Sequence, residues 1–308
     1  MATENWTADN IPSQQGKTIL ITGANSGLGL EATKVLSSKG AHIIMTVRNL
    51  ESGNEAIFKI KKENPNAKLE LMQLDLSDFA SIHKFSDEFH RKHKQLDVFI
   101  NNAGVMTPPK RELTKQNFEI QFGTNHLGHF LLTGLLLDVL KNTPNSRIAI
   151  QSSVLHKMEM GKPDIYFDDL NFDKQYNKDV AYAQSKLANL FFAYELDRQL
   201  KANSIGITVV AAHPGWTKTN LQRHAGFFMQ RIMDNIIGQK VEIGALPILR
   251  AATDTNVKGG EYFGPTRWKE LRGYPELVTS SDKSYDKQIA KRLWEVSEKL
   301  TNINYNFN

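Results

Sequence analysis

The 308-residue chain contains no cysteine. Disulfides, thiolate nucleophiles and thiolate-held metals are therefore excluded, and the absence suits a reducing cytoplasm, the expected location. Long apolar runs are also missing. The most lipophilic stretch, Phe130 to Leu140, is broken by Thr133 and Asp138 and is too short for a bilayer. Met1 to Gly16 is polar, with no apolar signal core. A soluble protein without a membrane partner is expected. No zinc spacing or recognition motif accompanies the basic residues, so nucleic acid is not an expected partner. His42, His83, His90 and His93 are scattered without ligand spacing, which argues against a metal site.

What is present fits one large α/β domain. Hydrophobic residues make up 40% and charged residues 23%, ample for a core and a solvated surface. The net charge of +5 is dispersed. Its densest cluster, His90 to Lys94, falls at a predicted helix end, where cations complement the helix dipole. Short β-branched runs (17–22, 41–47, 68–74, 96–100, 146–151, 205–212 and 261–263) alternate with helical periodicities (27–38, 51–63, 78–94, 115–142 and 180–202). This alternation predicts a Rossmann-type doubly wound parallel sheet of about seven strands, with helices on both faces. Residues 1–16 read as an arm, 17–264 as the catalytic domain and 265–308 as an extension. The extension carries one amphipathic helix over 282–299, with Ile289, Leu293, Val296 and Leu300 on one face.

Between the first strand and first helix lies Thr22-Gly23-Ala24-Asn25-Ser26-Gly27-Leu28-Gly29. Glycines at such a junction permit positive φ and let the backbone approach a pyrophosphate, which the helix N-terminus then receives. Arg48 follows the second strand, where an acidic residue would repel a 2′-phosphate and a guanidinium would hold it. NADP(H) is thus the expected cofactor. Tyr182 and Lys186 are one helical turn apart and share a face. An ammonium beside a phenol favours the phenolate, bringing tyrosine towards general acid/base use.

Together with Asn101-Asn102-Ala103-Gly104, Ser152-Ser153 and Tyr182-Ala183-Gln184-Ser185-Lys186, these residues resemble the short-chain dehydrogenase/reductase family. Asn125-His126-Leu127-Gly128-His129-Phe130, Val47-Arg48-Asn49 and Ser185-Lys186-Leu187-Ala188-Asn189 resemble its retinol-dehydrogenase-like branch. The resemblance implies that Ser153 holds a substrate carbonyl, Tyr182 passes the proton, Lys186 binds the nicotinamide ribose, and Asn125 holds a relay water. It further implies cofactor contacts at Gly23, Asn25, Ser26, Gly27, Leu28, Gly29, Asp75, Leu76, Asn101, Ala103, Gly104, Pro214, Gly215 and Thr219. In this family the long helices are common interface elements, so a homodimer or homotetramer is open.

The expected activity is NADP(H)-dependent interconversion of a small-molecule carbonyl and an alcohol, at CH–OH donors. Ser153 and Tyr182 lie further apart than the family's common spacing, so an insertion (155–179) is expected to wall the substrate entrance. A second apolar segment, 216–239, carries Phe227, Phe228, Met229, Ile232 and Met233 and either covers the substrate or packs. The N-terminal anchor of many relatives has no counterpart in Met1 to Gly16, which counts against a retinoid substrate. Two other readings compete. A nucleotide-sugar epimerase-like enzyme shares Tyr-x-x-x-Lys but needs a larger substrate domain. A non-catalytic NADP-binding sensor or scaffold would have no need of Asn125, Ser153, Tyr182 and Lys186 together.

Overall fold

Apolar runs without polar alternation become inner strands, because helices cover both faces of the sheet they build. A computed structural model describes residues 5–159, 162–217 and 238–307. The strands are β1 (Thr18–Thr22), β2 (His42–Val47), β3 (Lys68–Gln73), β4 (Val98–Asn101), β5 (Arg147–Gln151), β6 (Thr208–Ala212), β7 (Tyr262–Arg267) and β8 (Arg272–Leu277). They form one sheet in the order β3-β2-β1-β4-β5-β6-β7-β8. All pairings are parallel except β7 with β8. The helices that position the site are α1 (Gly27–Ser38), α2 (Leu50–Glu63), α3 (Phe79–Lys92), α4 (Ile120–Phe122), α5 (Gly128–Leu135), α6 (Leu137–Lys141), α7 (Lys178–Ala202), α8 (Leu246–Thr253) and α9 (Lys287–Thr301).

Alternate strand residues serve opposite faces. Leu20, Phe99, Ile148 and Val209 pack with Phe85 and Phe89 of α3, Leu131 of α5 and Leu190 of α7. Ile19, Ile21, Ile100, Ala149 and Val210 pack with Ala32 and Leu36 of α1 and Leu249 of α8. The chain leaves β1 for β2 on one side and reaches β4 on the other. At that reversal the helices diverge, and a crevice opens at the carboxyl ends of the strands.

Three elements differ from the sequence expectation. The sheet has eight strands rather than about seven, because Arg272–Leu277, assigned from sequence to the extension, pairs antiparallel with β7. Proline is tolerated there on an edge strand. The predicted helix over 115–142 is interrupted: Asn117 is left-handed, and α4 starts only at Ile120. Glu119, fully buried, caps α4 by accepting from the Gln121 and Phe122 N–H groups at 3.0 and 2.8 Å. A π-helical turn, Gly123–Leu127, then joins α4 to α5 with Asn125 at its centre. Finally, α9 starts at Lys287 because Asp286 caps it, and it buries Ala290, Leu293, Trp294, Ser297 and Thr301. Val296, expected inside, is only partly buried.

Candidate active site

A cleft of about 760 Å³ lies at the switch point. Its floor at one end is the glycine turn. Gly23 and Gly27 are left-handed (φ 66° and 53°), which brings the chain from β1 into α1 with its N-terminus facing the cleft. Gly29 is needed for closeness rather than for its backbone angle, since a Cβ there would stand 2.3 Å from the Gly23 carbonyl oxygen and 2.5 Å from Asn102 Nδ2. Asn102 holds the turn by donating to the Thr22 carbonyl at 2.8 Å. Thr22 Oγ1 in turn accepts the N–H groups of Asn102 and Ala103, both at 2.9 Å.

Most of the expected cofactor residues line this cleft: Gly23, Asn25, Ser26, Gly27, Leu28, Arg48, Asp75, Leu76, Ala103, Gly104, Pro214 and Gly215. Gly29 supports it from behind. Arg48 is exposed at the far end, beside Asn49, Ser52 and Lys59. Asn101 departs from expectation. It is buried away from the cleft and donates to Thr133 Oγ1 at 3.3 Å, so its neighbour Asn102 is the one that faces the turn. Adjacent residues at a strand end point to opposite sides, and the motif alone does not say which. Thr219 lies outside the described residues, as do Phe227, Phe228, Met229, Ile232 and Met233.

At the other end stand Ser153, Tyr182 and Lys186. Ser153 follows β5, and its hydroxyl lies on the Tyr182 side of the cleft. Lys186 sits one turn along α7, its Nζ 5.7 Å from the Tyr182 ring centre and donating to the Gln151 carbonyl at 3.3 Å. Both side chains are buried, and burial dominates their protonation. It pushes the Tyr182 phenol up to about 12, with the Ser153 hydroxyl working the other way. It pulls the Lys186 ammonium down to about 8. The expected lowering of the phenol by its ammonium neighbour is thus not what the protein's own groups produce. Loss of hydration outweighs it, and the tyrosine is held as a neutral phenol.

Asn125 is fully buried at the centre of the π-helical turn. Its side chain accepts from the Val105 N–H at 2.7 Å and donates to the Val105 carbonyl and to Ser185 Oγ, both at 2.9 Å. It therefore pins the strand β4 exit to helix α7. Its own carbonyl meets His129 Nδ1 at 3.0 Å. His129 Nε2 meets Thr22 Oγ1 at 2.9 Å. Because Thr22 Oγ1 already accepts two N–H groups, its proton points to Nε2, and His129 donates from Nδ1. The sequence signal for this link was the second histidine of Asn-His-Leu-Gly-His, whose role only the fold reveals.

Among its described residues the insertion lines the cleft only at its start, through Leu155, next to Val154. Ile165, Phe167 and Leu170 instead pack on α7 and α4, and Phe172 pairs with Tyr166. The residues fit a dinucleotide. Glycines leave backbone bare where a Cβ would collide, a helix N-terminus faces the space, a guanidinium marks one end, and a buried ammonium and phenol the other. Among the described residues no group of histidine, aspartate and glutamate side chains is placed to hold a metal ion.

The sequence pattern described as "short chain dehydrogenase" matches residues 17–166. Retinol dehydrogenase 14 of Mus musculus is 38% identical over 305 residues, covering 94% of this chain and 86% of that protein. Among solved structures, an uncharacterised protein from Mycobacterium paratuberculosis is 36% identical, with a TM-score of 0.81 over 98% of this chain and 100% of the other. A Pseudomonas aeruginosa RhlG complex with NADP shares the fold, with a TM-score of 0.64 and 20% identity over 81% of this chain and 94% of its own. The chain belongs to the short-chain dehydrogenase family, and it is an oxidoreductase of that family's Rossmann-type fold. Among the described residues, no helix is long and apolar enough to cross a membrane.

Proposed function

We infer that the protein is an NADP(H)-dependent oxidoreductase that interconverts a carbonyl compound and an alcohol. The observation that carries this reading is the placement of Ser153, Tyr182 and Lys186 at one end of a single cleft whose other end is Arg48. When bound, a nicotinamide cofactor supplies the hydride, and its oxidised form carries a positive charge. The chain's own residues do the rest. Ser153 orients the substrate oxygen with its hydroxyl. Tyr182, kept protonated by burial, gives its phenolic proton to the oxygen as alcohol forms. Lys186 holds ribose hydroxyls and returns a proton towards Tyr182. Asn125 fixes the geometry between Val105 and Ser185 and leads the relay towards His129. Arg48 selects the 2′-phosphate. The apolar wall of Val154, Leu155, Met106 and Trp216 suits a hydrophobic substrate.

The test is NADPH oxidation by purified protein over aldehydes, ketones and quinones, with Tyr182→Phe as control. Turnover by the wild type and its loss, by about 100-fold or more, in the variant is the expected result. Full turnover by Tyr182→Phe would remove the proton-transfer assignment. NADPH binding without turnover on any substrate would favour the sensor reading. Arg48→Asp is expected to weaken NADP binding more than NAD binding, and an equal loss would end the phosphate role.

A further inference from the structure

The proton path makes no use of a charged cluster at the turn of the β7–β8 hairpin. Trp268, Lys269 and Glu270 form the hairpin turn, and all three hold left-handed backbone (φ 54°, 56° and 64°). None is glycine, so the turn is costly and persists only where its surroundings fix it. One loop of the cleft, 214–216, supplies part of those surroundings. The Leu271 carbonyl accepts the Trp216 N–H at 2.7 Å. Gly215 comes so near that a Cβ on it would stand 2.5 Å from the same oxygen.

Glu270 then reaches this loop and the turn that follows Ser153. Its Oε2 accepts from His213 Nε2 at 3.0 Å, and its Oε1 accepts from Lys157 Nζ at 2.6 Å. His213 is fully buried just before Pro214-Gly215, and its Nδ1 accepts the Gly215 N–H at 3.3 Å. That places the imidazole proton on Nε2, facing Glu270. Lys157 ends the short 3-10 turn Val154–Lys157, which begins directly after Ser153. His156 in that turn donates from Nδ1 to the Ser153 carbonyl at 2.6 Å. Burial alone would raise the Glu270 carboxyl, but the hydrogen bonds from His213 and Lys157 outweigh it and hold it low.

We propose that Glu270 is a positioning residue that ties the loop bearing Ser153 to the loop bearing Pro214-Gly215. It thereby sets the separation of the substrate carbonyl from the reacting ring of the cofactor. The proposal rests on the hydride-transfer reading above. Hydride transfer is steep in distance, and a misplacement of about 1 Å costs on the order of 100-fold in rate. The two loops follow neighbouring strands, β5 and β6, and Glu270 holds a basic side chain from each.

Glu270→Gln in the full chain tests this. The expected result is a fall in kcat of about tenfold, with KM for the carbonyl and Kd for NADPH changed by less than about twofold. The isotope effect from 4-deuterated NADPH should rise as hydride transfer becomes limiting. Lys157→Met should reproduce the loss, Lys157→Arg should retain about half of kcat or more, and the double variant should be no worse than either single one. An unchanged kcat and isotope effect in Glu270→Gln, or losses that multiply in the double variant, would overturn the proposal. If Glu270→Gln does not fold, the Lys157 pair carries the test, since that side chain is partly exposed. A wild type that binds NADPH but reduces nothing sinks the oxidoreductase reading instead. The nicotinamide emission of bound NADPH then decides on Glu270: reduced enhancement in Glu270→Gln supports the link, and equal emission removes it.

Discussion

Acidification is expected to destabilise this fold through three buried histidines. His129 links Thr22 to the Asn125 carbonyl, His156 carries the Ser153 loop, and His126 lies among Phe122, Phe130 and Phe192. Burial pulls them from an ordinary 6.5 down to about 4, about 3 and about 3 respectively. The sign follows from linkage. The unfolded chain takes up three protons below pH 6.5 while the folded one stays neutral, so stability is complete above that pH and lost as pH falls. Each proton contributes about 1.4 kcal/mol per pH unit, so three give a slope of about 4 kcal/mol per pH unit. The loss is then about 4 kcal/mol at pH 5.5 and about 8 at pH 4.5, against a usual total of about 5–15.

His213, also lowered by burial, adds to the slope. His90 opposes it: burial is outweighed there by hydrogen bonds to Asp138 and Ser86, and its protonated form is favoured. Urea unfolding followed by circular dichroism, in half-unit steps from pH 7.5 to 4.5, measures the slope. Between pH 6.5 and 5 most carboxylates are still ionised, so histidines dominate this window. His126→Gln, which can still reach Ser297, should remove one proton and flatten the slope by about a quarter to a third. Stability that stays level from pH 7 to 5.5 would refute the reasoning, because these imidazoles would then titrate alike in both states.

Gly29→Ala should cut NADPH affinity by about 100-fold or prevent folding, since its methyl would lie 2.3 Å from the Gly23 carbonyl; fluorescence titration and a melting curve separate the outcomes. Asn125→Asp sets a carboxylate against the Val105 carbonyl and removes the donor to Ser185, for an expected loss of about 3 kcal/mol on urea unfolding. In kinetics, kcat/KM for alcohol oxidation should climb with pH without a plateau below 9, because Tyr182 is pushed up to about 12. For carbonyl reduction it should be level to about pH 8 and then fall as Lys186 loses its proton, and a reduction rate that rises over this range would contradict the assignment.

Much of this was readable from residues, for identifiable reasons. Helix α1 spans Gly27–Ser38 as expected, since a glycine turn precedes it and Gly40, left-handed, follows it. The inner strands were legible because continuous apolar runs flanked by turns permit few alternatives. Tyr182, Lys186 and Ser153 converge as their spacing and order implied. What escaped depended on contacts distant in sequence. Strand β8 was hidden by Gly273 and Pro275, and only the neighbouring β7 edge makes it a strand. Asn101 and Asn102 could not be told apart without the direction of the strand end. The break before α4 came from a buried Glu119, which looks like any surface carboxylate until Tyr176 and Gln121 close around it. The phenol's protonation is not legible in the spacing, which reveals a neighbour's charge but not the water both groups have lost.

Helix α7 has almost no solvent face: Val180 to Asp197 is buried without a break. Part of its cover comes from α9, far downstream in the chain, whose Leu293 and Ala290 pack with Leu187 and Phe191. Tyr305 closes the same region by donating to the Phe130 carbonyl at 2.6 Å. During synthesis, therefore, Tyr182 and Lys186 emerge long before the residues that shield the helix carrying them. A ribosome-bound chain halted before Lys287 would carry Tyr182 and Lys186 on a helix lacking that part of its cover. The cover of α7 is therefore completed only by a segment far downstream in the chain.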